Sequence, residues 1–304
     1  MTTTAKPALV TIEQLVAEAS DLAALPQVVM RVIDMTIDPK TTATDVERVV
    51  GTDQALAGRI LALANSSYYG LPRRISSLRE AVVFLGFKAI RNLAMAVTTF
   101  NLFVGKSDAP SLARRELWRH AMDTAQCARI VGTMLHPSDR EAFATDEAFT
   151  CGLLHDVGKL VLDRSRHALF VTISETARTH KTRFHVIEAQ ALPWSHSQLG
   201  MTLAARWNLP LPVCETIGFH HTPRAAQANP RLTATVALAN ELAHFLTETS
   251  EMGPDRTAQH WQQTLADSME MLTVLRLTPE KAHSMASACR AEMDKGLTSQ
   301  MMPN

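Results

Sequence analysis

Between positions 116 and 221 of this 304-residue chain, seven residues stand out as a set able to ligate a metal ion or move a proton: Glu116, His120, His155, Asp156, His196, His220 and His221. His155 and Asp156 stand side by side in Cys151-Gly-Leu-Leu-His-Asp-Val-Gly-Lys-Leu160, an otherwise apolar run. A buried imidazole next to a buried carboxylate is costly unless each is paired or both bind a metal. Glu116 and His120 are four apart, which sets them on one helix face and lets them offer a carboxylate and an imidazole to a single ion. His155 and Asp156 on a helix would point ~100° apart, and a metal between helices can still take both, with the aspartate able to bridge two ions. The set mixes imidazole with carboxylate and has no thiolate, which suits one or two divalent ions of Fe, Mn, Zn or Co. The chemistry in view is metal-assisted hydrolysis of a phosphate ester, with a water acidified for in-line attack at phosphorus. Asp156 would act at its centre, and Lys159, one turn after His155, would neutralise a phosphate oxygen. Each group also has a plain structural reading: a satisfied core pair at His155-Asp156, a solvated pair at Glu116-His120, a backbone-bonded His196, a metal-free His220-His221.

The elements that must position these residues read as helices. Capping signals stand at Thr11, Thr44 and Ser77, and stops at Asp38-Pro39, Gly70 and Gly86. A helix over about 111–135 carries Glu116 and His120, and one over 147–162 carries the His-Asp pair. Shorter ones follow at 168–180 and 184–192. His196 begins another, Pro210 and Pro212 break it, and a further helix runs to His221. An Ala- and Leu-rich helix covers about 231–247, and helices near 257–275 and 279–294 close the chain. No strand pattern, repeat or low-complexity tract interrupts the series. The fold class is therefore all-α: two packed helical lobes, 18–105 and 111–250, separated at the turn-rich Gly105-Lys-Ser-Asp-Ala-Pro110, with an N-terminal tail and helix over 1–17 and a C-terminal helical extension over 251–304.

Thirty basic and thirty acidic residues give a net charge of zero, which argues against general nucleic-acid binding, since that needs a basic surface. Arg73, Arg74, Lys88 and Arg91 could form a local basic patch; ordinary solvated charge is the plainer account. The four cysteines are scattered with no CxxC pair, which disfavours a zinc ribbon and suggests reduced thiols. No signal-peptide core is visible, and no apolar run approaches the ~18–20 residues of a membrane span. A cytoplasmic protein without membrane partners is expected. Trp118, Trp194 and Trp207 read as core anchors, and the methionines near 269–271 and 301–302 could mark a partner-facing surface.

Residues 18–250 resemble the HDOD domain, a relative of the HD phosphohydrolases found in bacterial signalling proteins. The resemblance is carried by Leu22-Ala-Ala-Leu-Pro26, Ile37-Asp-Pro39, Thr52-Asp-Gln-Ala-Leu56, Arg59-Ile-Leu-Ala-Leu-Ala-Asn-Ser-Ser-Tyr-Tyr-Gly70, Ile75 to Gly86 and Lys88-Ala-Ile-Arg-Asn92, followed in order by Gly152-Leu-Leu-His-Asp-Val-Gly-Lys159, His196-Ser-Gln-Leu-Gly200, Arg206-Trp-Asn-Leu-Pro210 and His220-His221. It implies an all-α regulatory module acting through signalling protein partners, often catalytically silent because metal ligands are lost. The HD-GYP phosphodiesterases are similar in layout, with a two-ion site of one Glu, five His and two Asp. Carried over, that pattern matches Glu116, His120, His155, Asp156, His196, His220 and His221, but the final aspartate falls on Asn240, a neutral and poorer ligand. Glu241 projects ~100° away from it on a helix. Thr222-Pro-Arg-Ala lacks the Gly-Tyr-Pro segment that names those relatives, which weakens cyclic dinucleotide recognition. The resemblance thus implies regulation through protein contacts, with a phosphate-containing ligand, a metal-dependent phosphodiesterase and a nucleic-acid-binding regulator as the alternatives.

Overall fold

The computed structural model describes residues 11–19, 22, 27–66, 69, 71–104, 112–135, 143, 145–296 and 298. Among them every regular element is a helix: α1 (Ile12–Glu18), α2 (Gln27–Ile37), α3 (Ala43–Val50), α4 (Gln54–Ala64), α5 (Leu78–Val104), α6 (Leu112–Met134), α7 (Thr145–Leu154), α8 (Val157–Ser165), α9 (His167–His180), α10 (Phe184–Ala191), α11 (His196–Arg206), α12 (Leu211–Phe219), α13 (Pro230–Glu248), α14 (Pro254–Asp267), α15 (Met269–Leu275) and α16 (Pro279–Met293), with a single 3₁₀ turn at Pro223–Ala225. The all-α class expected from the sequence is the class observed.

The hub is α13. It begins at Pro230 behind an Asn229 cap, whose side chain accepts from the Leu232 N–H. From Leu232 to Leu246 nearly every residue is buried. A helix apolar on all faces must be surrounded, and α6, α7, α12, α14, α15 and α16 all pack on it. In the N-terminal half α2, α3 and α4 lie against α5. That long helix is two segments joined at Gly86, whose φ of 83° is open to glycine and strained for other residues. The stop expected at Gly86 is thus a sharp redirection, beyond which the helix runs on to Val104. α5 is the one described helix long and apolar enough to cross a membrane, but 56% of its most apolar window is buried within the protein.

α1 packs against α8 and α11, and the Trp207 indole donates to the Leu22 carbonyl at 2.9 Å. The N-terminal segment is thereby fastened to the half of the molecule that carries the histidines. Trp118 is a core anchor, fully buried with the rings of Phe100 and Phe103 against it. The expected single helix over 257–275 is instead α14 and α15, broken at Ser268, and the bend lets Met271, Leu272 and Leu275 bury themselves as α15 packs on α13. α16 packs on α6, with Met285, Ala286 and Cys289 inside the same core. Met269 is exposed, Met271 is buried, and positions 301–302 lie outside the described residues. The suspected basic patch is largely engaged: Arg73 pairs with Glu80 and covers the Phe84 ring, and Lys88 lies 3.8 Å from Asp146. All four cysteines are free and buried.

Candidate metal centre

The two helices α7 and α8 are not the one continuous helix expected over 147–162. The chain turns at His155-Asp156, and Asp156 has φ −98° and ψ 11°. The break changes the geometry of the pair. On a continuous helix the side chains would diverge, whereas here both are buried, with His155 Nε2 3.3 Å from Asp156 Oδ2. Gly158 then lets α8 press against the start of α11. A Cβ at Gly158 would sit 1.8 Å from the His196 carbonyl oxygen and 2.6 Å from the Gly200 nitrogen. This backbone-to-backbone approach is what delivers His196 to Asp156.

His196 is the first residue of α11, set by a capping box in which Ser195 and Gln198 exchange side-chain and backbone hydrogen bonds. The first-turn N–H of His196 is left over by the helix, and Glu188 of α10 accepts it through Oε1 at 2.8 Å. Through Oε2 the same carboxylate accepts from the His196 ring Nδ1 at 2.7 Å. One buried glutamate thus fixes both the backbone and the ring. His155 Nδ1 donates to the Gly152 carbonyl at 2.7 Å, and His220 Nδ1 to the Ile217 carbonyl at 2.8 Å. Carbonyl and carboxylate oxygens only accept, so in all three rings Nδ1 carries the hydrogen. In the neutral rings Nε2 then presents a lone pair inward, the arrangement second-sphere acceptors impose on metal-binding histidines.

Two of these Nε2 atoms, those of His196 and His220, meet each other and that of His221. His196 Nε2 lies 3.4 Å from His220 Nε2 and 3.2 Å from His221 Nε2, with Asp156 Oδ1 3.2 Å from His196 Nε2 and 3.8 Å from His220 Nε2. On the other side of Asp156, Oδ2 lies 3.8 Å from His120 Nε2. Two groups result, His196/His220/His221 and His120/His155/Asp156, with Asp156 between them. Lone pairs facing each other at such distances repel unless a cation or proton separates them. Two ligands ~2.0–2.1 Å from a tetrahedral ion stand about 3.3 Å apart, which is the spacing seen. His155 Nε2 and Asp156 Oδ1 are moreover buried without a hydrogen-bond partner, a cost a protein seldom carries unless something else satisfies them. The residues present therefore fit a divalent ion.

Asn240 on α13 reaches the cluster, its Oδ1 2.9 Å from His120 Nε2. Glu241 turns away to Arg183 at 3.3 Å, as its helical offset predicts. Glu116 is not brought in. Its side chain is exposed, because the turn of α6 that carries it faces solvent on that side while His120, one turn later, faces α13. Lys159, expected to face a phosphate oxygen, donates first to Asp156 Oδ2 at 2.6 Å and lies over the Phe184 ring.

Three participants escaped the sequence reading. Glu188 had a visible signal, a carboxylate at the apolar spacing of Phe184, Ile187 and Ala191. His185 packs its ring on His221, with centroids 4.0 Å apart. His244, four residues after Asn240 and so on the same face of α13, stacks on His120 at 4.2 Å.

Electrostatics follow from this crowding. Burial would raise Asp156, but His155, Lys159 and His196 overcome it and hold the carboxyl well below its ordinary value. Burial and neighbouring imidazoles push His220 and His221 well down, and likewise His244. Burial lowers His120 to about 3 and His185 to about 4. His196 goes the other way: burial opposes its charge, yet Asp156 and Glu188 raise it.

The comparisons with known proteins bear on this arrangement. A model of the HDOD domain matches residues 22–223. The chain belongs to the HDOD family. Three solved structures share its fold. A protein of Shewanella amazonensis SB2B, provisionally named a phosphohydrolase, is 23% identical, with TM-score 0.70 over 95% of this chain and 98% of its own. An HDOD domain protein of unknown function from Geobacter sulfurreducens is 24% identical, with TM-score 0.64 over 93% and 99%. A protein of Marinobacter aquaeolei VT8, provisionally named for signal transduction, is 24% identical, with TM-score 0.72 over 91% and 59%. An uncharacterized protein of Treponema pallidum (strain Nichols) is 30% identical over 227 residues, 74% of this chain, and the match spans 43% of that relative's length.

Two outcomes in the HDOD chain follow from the site geometry. Glu188→Gln keeps the shape but removes the charge behind His196, and is expected to weaken metal affinity by about 10–100-fold. Isothermal titration with Zn²⁺ reads the change, and an unaltered affinity would show Glu188 to be structural only. The pH dependence has a definite sign. His120, His185, His220, His221 and His244 are depressed in the folded chain. Their contribution to stability is complete above the unfolded value of 6.5 and is lost as pH falls toward the folded values. Asp156, also depressed, adds a loss below 3.8. His196, raised, opposes them and loses its contribution as pH climbs. Metal-free protein should therefore show its urea midpoint falling between pH 7 and pH 5, at up to about 1.4 kcal/mol per pH unit for each such histidine. A midpoint flat over that interval would contradict the buried neutral rings.

Proposed function

We propose that the protein is a metal-binding regulatory HDOD module of bacterial signal transduction, acting through contacts with protein partners rather than through turnover. The observation that carries the metal assignment is the meeting of the His196, His220 and His221 Nε2 atoms beside Asp156, the His196 and His220 rings, like that of His155, being tied off behind at Nδ1. Regulation in place of hydrolysis is supported by three departures on the other side of Asp156. Glu116 faces solvent, the position of the expected second aspartate is the amide Asn240, and Lys159 is engaged with the carboxylate between the groups.

The second reading, a metal-dependent phosphohydrolase, is favoured by Asp156 itself, which touches both groups and could serve two ions. A divalent ion would supply Lewis acidity toward a phosphate ester, with Lys159 beside Asp156 and His185 against His221 available to orient its oxygens.

One experiment separates the readings. Purified protein, analysed for metals and assayed on bis-p-nitrophenyl phosphate with Mn²⁺, Fe²⁺, Zn²⁺ and Co²⁺, is expected to hold metal and to hydrolyse nothing above the rate of an Asp156→Ala control. Metal-dependent hydrolysis abolished by that substitution would establish the phosphohydrolase. Protein that neither contains nor takes up metal would remove both.

A further inference from the structure

We infer that the histidine cluster is a single-ion site: His196, His220, His221 and Asp156 Oδ1 hold the ion, and the Lys159 ammonium is the resident cation on the side of His120 and His155. The inference rests on the metal-binding reading and adds where the ion sits and why a second is excluded.

The two sides of Asp156 differ in what their ligand atoms already do. On the His196 side, Oδ1 has no hydrogen-bond partner, the His196 and His220 Nε2 atoms lie 3.2 and 3.8 Å from it, and His221 Nε2 stands 3.2 Å from that of His196. On the His120 side the ligand atoms are largely spent. Oδ2 accepts from Lys159 at 2.6 Å, a charge-assisted bond of normal strong length. His120 Nε2 is in hydrogen-bond contact with Asn240 Oδ1 at 2.9 Å and stands 3.5 Å from Thr124 Oγ1. Only His155 Nε2 is left over there. An ion placed on that side would have to displace an ammonium from the one anionic ligand available to it.

Charge balance points the same way. Asp156 and Glu188 are the carboxylates in contact with the cluster. The next ones, Glu241 and Glu248, are paired with Arg183. One divalent ion with Lys159 sets three positive charges against two negative. Two ions would set five against two, in a site where His155, Asp156, His196 and His220 are at most 1% exposed. Uncompensated charge at that depth is prohibitive. A carboxylate at 116 or 240 would have relieved it; one faces solvent and the other is an amide.

Lys159 is held where it can act in this way. It lies on the first turn of α8, three residues after Asp156, with its chain buried and its ammonium over the Phe184 ring, where the ring face favours a cation.

The test uses the full chain, stripped with chelator, loaded with excess Co²⁺ or Zn²⁺, desalted and counted by elemental mass spectrometry. One equivalent per chain is expected. Two equivalents would overturn the inference while leaving metal binding intact, and none would overturn the metal-binding reading itself. Location is read from Co²⁺ absorption: His221→Ala should lose the ion and His120→Ala should retain it with a near-native spectrum, and the reverse outcome would place the ion on the wrong side. Lys159→Met, alone and with Asn240→Asp, tests the resident cation. The double variant is expected to take up two equivalents, and a count still at one would deny Lys159 its role. Wild-type stoichiometry needs no substitution, so a variant that fails to fold does not shelter the proposal.

Discussion

Gly158→Ala is expected to destabilise the protein by about 3 kcal/mol or more and to strip it of metal. The added methyl would lie 1.8 Å from the His196 carbonyl oxygen, with the Gly200 nitrogen 2.6 Å away. Both obstacles are backbone, so no rotamer change relieves the overlap, and α8 must move off α11. That movement separates Asp156, two residues before Gly158, from His196, whose own carbonyl is the obstacle. Stability and ligation therefore fail together. Gly58 on α4 supplies the control, since a Cβ there meets nothing within 4 Å. Gly58→Ala should raise stability by about 0.5–1 kcal/mol through helix propensity and reduced freedom of the unfolded chain. Urea denaturation followed by far-ultraviolet circular dichroism measures both. A Gly158→Ala midpoint equal to wild type would mean the two helices are not packed backbone to backbone.

Asp156→Ala is expected to lower metal affinity at least ~100-fold, beyond the ~10–100-fold typical of residues that only orient ligands. Among the described residues Asp156 is the carboxylate in contact with both histidine groups, and Glu188 is occupied behind His196. The substitution should also cost stability in metal-free protein. It leaves the Lys159 ammonium buried without its partner, a situation worth about 3–5 kcal/mol. The two effects are separable. Adding Lys159→Met to Asp156→Ala removes the stranded charge and should return much of the stability while leaving metal binding abolished. Metal content unchanged in Asp156→Ala would refute the assignment of the cluster. A double variant no more stable than the single would show that Lys159 is not held by that carboxylate.

The legible part of this molecule is what local chemistry governs. Capping residues and helical spacing placed α6, α9, α10, α11 and α13 within a residue or two of their observed limits, because cap bonds and apolar periodicity act over a few residues. Ligand chemistry was legible for the same reason: imidazole and carboxylate in an apolar run need partners whatever the fold. The His155-Asp156 break was not legible. Nothing in Leu-Leu-His-Asp-Val stops a helix, and the turn there exists because α7 packs on α6 and α13 while α8 packs on α11, directions one straight helix cannot satisfy.

Amino-acid order by itself determined the helical class, the family and the inventory of groups able to bind a metal. Tertiary structure decided which of them meet. It turned Glu116 outward and His120 inward from one helix, brought Glu188 behind His196, and aligned His244 with His120 through a shared face of α13. It also committed Lys159 to Asp156 rather than to open solvent. The reason is that a side chain's identity and local conformation are set by near neighbours along the chain. Whether its polar atom finds a carboxylate, a lone pair or water depends on helices far away in sequence, 120 residues in the case of the bond between His120 and Asn240.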